Sequence, residues 1–249
     1  MKKGELVLLL SEESSYLTEV RKEEIHTRDG IFNLNELSKK KFGGYIKTHL
    51  NKKFSIIKPN ISDILEKKVK RLPQIIMPKD AGLILAYTGL QQATLIVDAG
   101  TGSGFLAMFL ANYIKPGRVV TYEKNKRFLK VAKENIRLSG LSKFIRLKQK
   151  DITKDIAERN VDLVTLDMKS AEKVVKYAYK ALKPGGWLVV YSPYIDQVSA
   201  VIKEIKKKSF CNIKTVENIV REWQTEKNIR PKTIGLMHTG FLTFARKVI

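Results

Sequence analysis

The stretch Asp98-Ala99-Gly100-Thr101-Gly102-Ser103-Gly104 lies between the β-rich run Thr94–Val97 and the helix-length apolar run Phe105–Tyr113. Alternating glycines let the main chain turn sharply and let a ligand touch bare backbone. A phosphate-binding P-loop needs Gly-Lys-Ser/Thr at its end, and Phe105 stands there instead. A dinucleotide fingerprint is spaced G-x-G-x-x-G, whereas this loop is spaced G-x-G-x-G. A purely structural tight turn is the plain alternative, and the strand–loop–helix setting argues against it.

Outward from the loop the chain alternates. A helical stretch Asp80–Thr88 leads to strand Thr94–Asp98, the glycine loop and a helix from Phe105 to Tyr113. Strand Arg118–Tyr122, helix Lys126–Leu138 and strands Phe144–Lys148 and Val161–Leu166 follow. A helix from Ala171 to Leu182 ends at Pro184-Gly185-Gly186, before strand Trp187–Tyr191 and a helix through Lys207. Such alternation predicts an α/β fold, a parallel sheet flanked by helices. Asn212–Ile219 and Leu236–Ala245 read as strands with no helix between, hence a C-terminal antiparallel hairpin. Residues 1–60 read as a small N-terminal β-domain: Leu6–Leu10, Tyr16–Val20, the turn Arg28-Asp29-Gly30 before Ile31-Phe32, and Tyr45–Ile57 after Gly43-Gly44. Residues 61–78 are expected to be a connecting helix and linker, with Ser62 or Asp63 as N-cap, and 79–249 the catalytic domain.

Ligands of open α/β sheets bind beyond the carboxyl ends of the strands. Acids stand there four times: Asp98 before the loop, Glu123 after the second strand, Asp151 after the third and Asp167 after the fourth. Each aspartate alone is more often a cap or turn residue, and Glu123 could accept ribose hydroxyls of NAD or of S-adenosylmethionine alike. Together they favour a cationic ligand, because a pyrophosphate would be repelled. The acid two residues before three alternating glycines resembles the first motif of class I S-adenosylmethionine-dependent methyltransferases, a Rossmann-like fold.

Further stretches narrow the resemblance. Arg71-x-x-Gln74-Ile75-Ile76-x-Pro78-Lys79-Asp80, Tyr122-Glu123, Leu182-Lys183-Pro184-Gly185-Gly186, Arg230-Pro231 and His238-Thr239-Gly240-Phe241-Leu242-Thr243-Phe244-Ala245-Arg246-Lys247 resemble the tRNA adenine-N1 methyltransferases. These methylate the T-loop adenine numbered 58, and some archaeal members also its neighbour. The resemblance runs from about residue 71 to the C-terminus; before residue 60 it is architectural. It implies cofactor contacts at Gln74, at Gly100, Gly102, Ser103, Gly104, Phe105 and Leu106, and at Glu123, Phe128, Asp151 and Asp167. It also implies a homotetramer. The chain departs from the family in having Met77 where an aromatic or histidine is common, and Met168-Lys169 after Asp167.

Composition agrees with an RNA substrate. The 249 residues carry 47 Lys and Arg against 25 Asp and Glu, a net charge of +22 that a fold does not need and a polyanion would use. A lysine-rich thermophile surface is the bland alternative, but there glutamate usually balances the lysine. One cysteine, Cys211, excludes an intrachain disulfide. No run approaches the ~20 apolar residues of a membrane span, so a cytoplasmic protein without a membrane partner is expected. His26 and His49 have no Cys or His at metal spacing, and no metal is assigned. Cys211 is expected to pack as a small hydrophobe. His238 is read as either a substrate contact or a structural histidine. Lys124, Lys126, Arg127, Lys130, Lys133 and Arg137 form a basic cluster offset only by Glu134, and Arg221 with Trp223 could clasp RNA or fill an interface.

Adenine N1 carries an in-plane lone pair and needs no strong base to react, but the methylated ring is cationic. A carboxylate beside the exocyclic amino group would stabilise that charge and accept its proton, and Asp167 is the candidate. Base flipping or opening of the T-arm would expose N1. Two other readings are kept: a methyltransferase for protein or small molecules, and an RNA-binding subunit of a two-protein enzyme.

Overall fold

The computed structural model describes residues 1–72, 76–225, 228–233 and 239–249. Contacts divide the chain into two compact units, Met1–Val69 and Lys70–Ile249, so the segment 61–78 is shared between them.

The first unit is a β-structure. Strands β1 (Leu6–Leu10), β2 (Ser15–Glu19), β3 (Glu24–Thr27), β4 (Gly30–Asn33), β5 (Tyr45–Lys47) and β6 (Lys53–Ile57) precede helix α1 (Ile61–Lys67). They form an antiparallel sheet in the order β2-β1-β6-β5, beside the β3–β4 hairpin. Alternation decides the facing: Phe54 and Ile56 of β6 are buried while Lys53, Ser55 and Ile57 are exposed. The core closes on Phe32 and Phe54, edge to face at 4.9 Å. The Arg28-Asp29-Gly30 turn is fastened by Asp29, whose carboxylate accepts from Lys52 Nζ at 2.8 Å, Ser14 Oγ at 2.7 Å and Tyr16 Oη at 2.5 Å. Those bonds, that of Lys52 foremost, hold it well below the usual carboxylate range. His49 is structural, its Nδ1 accepting from Ile31 N–H at 2.8 Å. Helix α1 is capped by Asn60, and Asp63 completes a capping box, which corrects the expectation of Ser62 or Asp63 as the cap.

The second unit opens with α2 (Pro78–Thr88), then β7 (Leu95–Ala99), α3 (Phe105–Ile114), β8 (Arg118–Tyr122), α4 (Lys126–Leu138), β9 (Ile145–Lys148) and β10 (Val161–Leu166). A 3-10 turn at Ala171–Val174 leads into α5 (Val175–Ala181), β11 (Leu182–Ser192), α6 (Ile195–Ile205) and β12 (Phe210–Glu217). The two-residue strands β13 (Trp223–Gln224) and β14 (Arg230–Pro231) pair with each other, and β15 (Phe241–Lys247) closes the chain. The sheet order is β12-β15-β11-β10-β7-β8-β9; all neighbours are parallel except β15, which runs antiparallel to both β11 and β12. This is the expected α/β sheet with its C-terminal antiparallel pair; of the strand expected over Leu236–Ala245, residues 236–238 lie outside the described residues and the observed strand begins at Phe241. Two corrections concern local chemistry. Pro184-Gly185-Gly186 does not precede β11 but lies inside it, at an irregularity in the pairing with β10, and Gly186 leaves no room for a side chain because Val161 O would lie 2.9 Å from its Cβ. Cys211 is exposed rather than packed, because it sits on the edge strand β12.

The order places β7 between β8 and β10. The chain winds one way through β8 and β9 and the other way through β10 and β11, so the switch point lies between β7 and β10, where a crevice forms at the carboxyl ends.

Candidate active site

Backbones meet closely at this switch point. Asp167 N–H donates to Ala99 O at 2.8 Å, and a Cβ added to Gly100 would stand 1.8 Å from Asp167 O. Gly100 is therefore required by the neighbouring strand end. Gly102 differs: with φ of +55°, its added Cβ would meet only Gly100 O at 3.7 Å and otherwise face open space. Gly104, with φ of +84°, packs near Ala132, Ile136 and Met108 and caps α3 with no side-chain hydrogen bond. The first-turn N–H groups of α3 thus point toward the glycine loop with the positive end of the helix dipole, a seat for a carboxylate.

Three acids stand around the loop in different states. Asp98 is buried, accepting from Thr121 Oγ1 at 2.6 Å and Thr165 Oγ1 at 2.7 Å, yet burial dominates and pushes its carboxyl up. Glu123 is preorganised: Oε2 accepts from Gly102 N–H at 3.1 Å and Oε1 from Asn125 N–H at 2.8 Å. Asp167 is the exception, since no described residue donates a hydrogen bond to it. Burial, with the Asp98 charge behind it, pushes its carboxyl up to about 7. Asp151, one strand further, uses Oδ1 to accept from Thr153 N–H at 3.0 Å and Thr153 Oγ1 at 2.7 Å, bonds that lower its pKa.

Gly100, Gly102, Glu123, Phe128 and Asp167 line one cavity of about 410 Å³ together with Leu72, Met168, Lys169, Tyr191, Pro193, Tyr194 and Gln197. Ser103, Phe105 and Leu106 line a separate small recess with Asp98, which shares Gly100, Gly102 and Asp167 with that cavity, and Asp151 lines another recess with Glu123. Ser103 Oγ is buried with no hydrogen-bond partner among the described residues. Gly104 is packed behind the loop, and Gln74 lies outside the described residues, as does His238. The sequence reading missed Tyr191, Tyr194 and Gln197. The signal was available: β11 is a fifth parallel strand whose carboxyl end must also reach the crevice.

The donor set suits S-adenosylmethionine. Bare backbone at Gly102 borders open space, an orphaned hydroxyl lies at Ser103, and three carboxylates offer acceptors to hydroxyls and a favourable field to a sulfonium. Diphosphates would meet that field with the wrong sign.

The C-terminal motif supports the far wall. Gly240 lies against Tyr191, where an added Cβ would come within 2.3 Å of the ring, and its backbone bonds the Tyr191 hydroxyl. Burial and then the charges of Asp167 and Asp80 push that hydroxyl up. Lys79 binds the same region together: its Nζ donates to Asp80 at 2.9 Å, Asn218 O at 2.5 Å and Thr239 Oγ1 at 2.7 Å.

Among known proteins, residues 62–232 match the family model described as tRNA methyltransferase complex GCD14 subunit. The chain is 35% identical, over 93% of its length and 90% of the relative's, to the tRNA (adenine(57)-N(1)/adenine(58)-N(1))-methyltransferase TrmI of Methanocaldococcus jannaschii. Among solved structures it resembles an S-adenosylmethionine-dependent O-methyltransferase from Thermotoga maritima, with TM-score 0.88 and 31% identity, covering 100% of this chain and 95% of that one. The tRNA (m1A58) methyltransferase TrmI of Aquifex aeolicus matches with TM-score 0.83 and 25% identity, covering 100% and 99% of the two chains. A glycine loop at the switch point, ringed by strand-end acids, thus coincides with a family match over more than half the chain: the protein belongs to the tRNA methyltransferase family of the GCD14 subunit, whose relatives include the TrmI adenine-N1 methyltransferases.

Proposed function

We propose that the chain methylates N1 of adenine 58 in the T-loop of tRNA, using S-adenosylmethionine. The observation that carries this is the coincidence of an acid-lined, glycine-walled cavity with a +22 chain in a tRNA methyltransferase family. S-adenosylmethionine supplies an electrophilic methyl group on a sulfonium. The chain's own residues do the rest. Glu123, held by Gly102 and Asn125, presents its remaining lone pairs to the ribose hydroxyls. Asp151 Oδ2, left over after Thr153 occupies Oδ1, suits the adenine amino group of the cofactor. Gly100, Gly102, Ser103 and the start of α3 at Phe105 and Leu106 would hold the amino-acid end, and Phe128 would cover the base. Gln74 belongs to the same set by resemblance.

Asp167 is the catalytic residue of this reading. Methylation at N1 makes the acceptor ring cationic, and a carboxylate with no competing donor among the described residues is free to face that charge. A pKa of about 7 also suits it to accept the proton of the exocyclic amino group near neutral pH. Proximity and alignment within the cavity supply the remainder. The family resemblance extends the proposal to a cytoplasmic homotetramer, which native mass spectrometry of the purified chain would read. No helix among the described residues is long and apolar enough to cross a membrane.

The Thermotoga likeness favours one other reading, methyl transfer to a hydroxyl. Labelled cofactor, unmodified tRNA and nucleoside mass spectrometry separate the two. The expected product is 1-methyladenosine at position 58; label on ribose oxygen, or on no RNA at all, overturns the proposal.

A further inference from the structure

Helix α4 has an outward face that the proposed reaction does not use. Ala132, Asn135 and Ile136 face inward, and Asn135 is fixed by hydrogen bonds with the Lys70 backbone at 3.1 and 3.0 Å and with Ser103 O at 2.8 Å. That registration leaves Lys126, Lys130, Lys133 and Arg137 as one exposed stripe, spaced by four, three and four residues. Like charges at this spacing repel one another, and the one acid of the helix, Glu134, is paired with Lys70 at 3.3 Å. Beside the stripe runs β9, the edge strand of the sheet. Between them lies a groove of about 820 Å³ with Leu129, Ile145 and Leu147 in its floor.

The geometry points to this face as an anchor for the phosphodiester backbone of tRNA outside the T-loop, an inference that rests on the tRNA reading above. The local charge selects the occupant, because a stripe of four cations whose helix holds one acid, itself paired with Lys70, attracts a polyanion. The position selects the part of the RNA. Helix α4 begins three residues after Glu123 and its 13 residues span about 20 Å. An RNA whose base reacts at the strand ends therefore meets Arg137 well away from that base. Phosphate contacts of this kind fix register without reading sequence.

The test is the variant Lys130→Gln/Lys133→Gln/Arg137→Gln, none of which lines the catalytic cavity. Filter binding of full-length tRNA across a salt series should show an affinity about tenfold lower near physiological salt. The slope of log affinity against log salt should flatten by roughly 2–3, at about 0.9 for each phosphate no longer neutralised. KM for tRNA should rise with kcat, cofactor affinity and melting temperature unchanged, while a short T-loop hairpin should bind both proteins alike. Unchanged tRNA affinity and slope, or equal losses on tRNA and hairpin, would overturn the inference. So would a changed oligomeric state with tRNA binding intact, which would make the face an interface between copies. A wild-type protein that binds tRNA but modifies another atom would overturn the reaction reading and leave this surface standing. One that binds no tRNA overturns both.

Discussion

Replacing Asp167 with asparagine should make the protein more stable and nearly inactive. The structure gives both signs. In the folded chain burial and the neighbouring Asp98 push the Asp167 carboxyl up to about 7, against 3.8 for an ordinary aspartate. Between those values the folded state binds a proton that the unfolded chain has released, so stability falls as pH rises from about 4 to about 7 and is level above. Roughly three pH units at 1.36 kcal/mol each set an upper bound of about 4 kcal/mol. Because the carboxylate borders an open cavity, solvent screening reduces this to on the order of 2 kcal/mol. Asparagine carries no charge and escapes the penalty. The variant should therefore match the wild type below pH 4 and exceed it by that amount at pH 8.

Its catalytic loss should be larger. An amide cannot offset developing positive charge or take a proton, and deleting a comparable electrostatic partner costs about 2.7–4 kcal/mol, on the order of 100- to 1000-fold in rate. Melting curves between pH 4 and 8, beside single-turnover methyl transfer on tRNA, test both halves. The wild-type rate should also fall as pH drops through the Asp167 pKa, a limb absent from the variant's residual activity. Near-normal transfer by the folded variant, or a variant less stable than wild type at pH 8, would refute the reasoning.

Four other outcomes follow. Glu123→Ala should weaken S-adenosylmethionine binding by roughly 1–3 kcal/mol in calorimetry, the loss of charge-assisted hydrogen bonds; tight NADH binding in place of S-adenosylmethionine would count against the site. Tyr122 Oη donates to Glu158, which also pairs with Lys148, and together they clamp the loop carrying Asp151. Tyr122→Phe should cost about 1 kcal/mol in binding S-adenosylhomocysteine and less with the inosine analogue, which lacks the amino group facing Asp151; equal losses would make the clamp merely structural. Gly240→Ala should lower stability by about 1–3 kcal/mol by overpacking Tyr191, and Tyr191→Ala should recover it in the double variant. Gly102→Ala should leave a folded protein that binds cofactor poorly, whereas Gly100→Ala should fail to fold, with circular dichroism and calorimetry distinguishing them.

The alternation of apolar strands and helices from Leu95 onward is a local property, which is why the sheet and the bounds of α4 are legible residue by residue. The acids at Asp98, Glu123, Asp151 and Asp167 are legible for a related reason, because strand ends in such a sheet must converge. What was not legible depends on partners distant in sequence. Cys211 looks apolar in its own neighbourhood, yet β15 inserts between β11 and β12, and this makes β12 the edge and exposes the thiol. Pro184-Gly185-Gly186 looks like a helix stop, yet β10 recruits the residues on both sides into its ladder. Tyr191 joins the cavity through Gly240, 49 positions later in the chain, and no local pattern joins them.

The same limit applies within the glycine loop. In the sequence Gly100 and Gly102 are equivalent members of one alternating pattern, and ligand approach explains either. In the fold they answer different constraints. Gly102 borders space, so a methyl group there meets whatever the cavity holds. Gly100 borders the carbonyl of Asp167, and its missing side chain lets the ends of β7 and β10 close to a 2.8 Å hydrogen bond between Asp167 and Ala99. That closure also brings the Asp167 carboxyl within the field of Asp98, one of the two influences that raise it toward neutrality. A residue usually credited with admitting a cofactor here helps set the protonation of the carboxylate proposed to do the chemistry. Stability and activity are opposed at this point of the sheet because one backbone contact produces both.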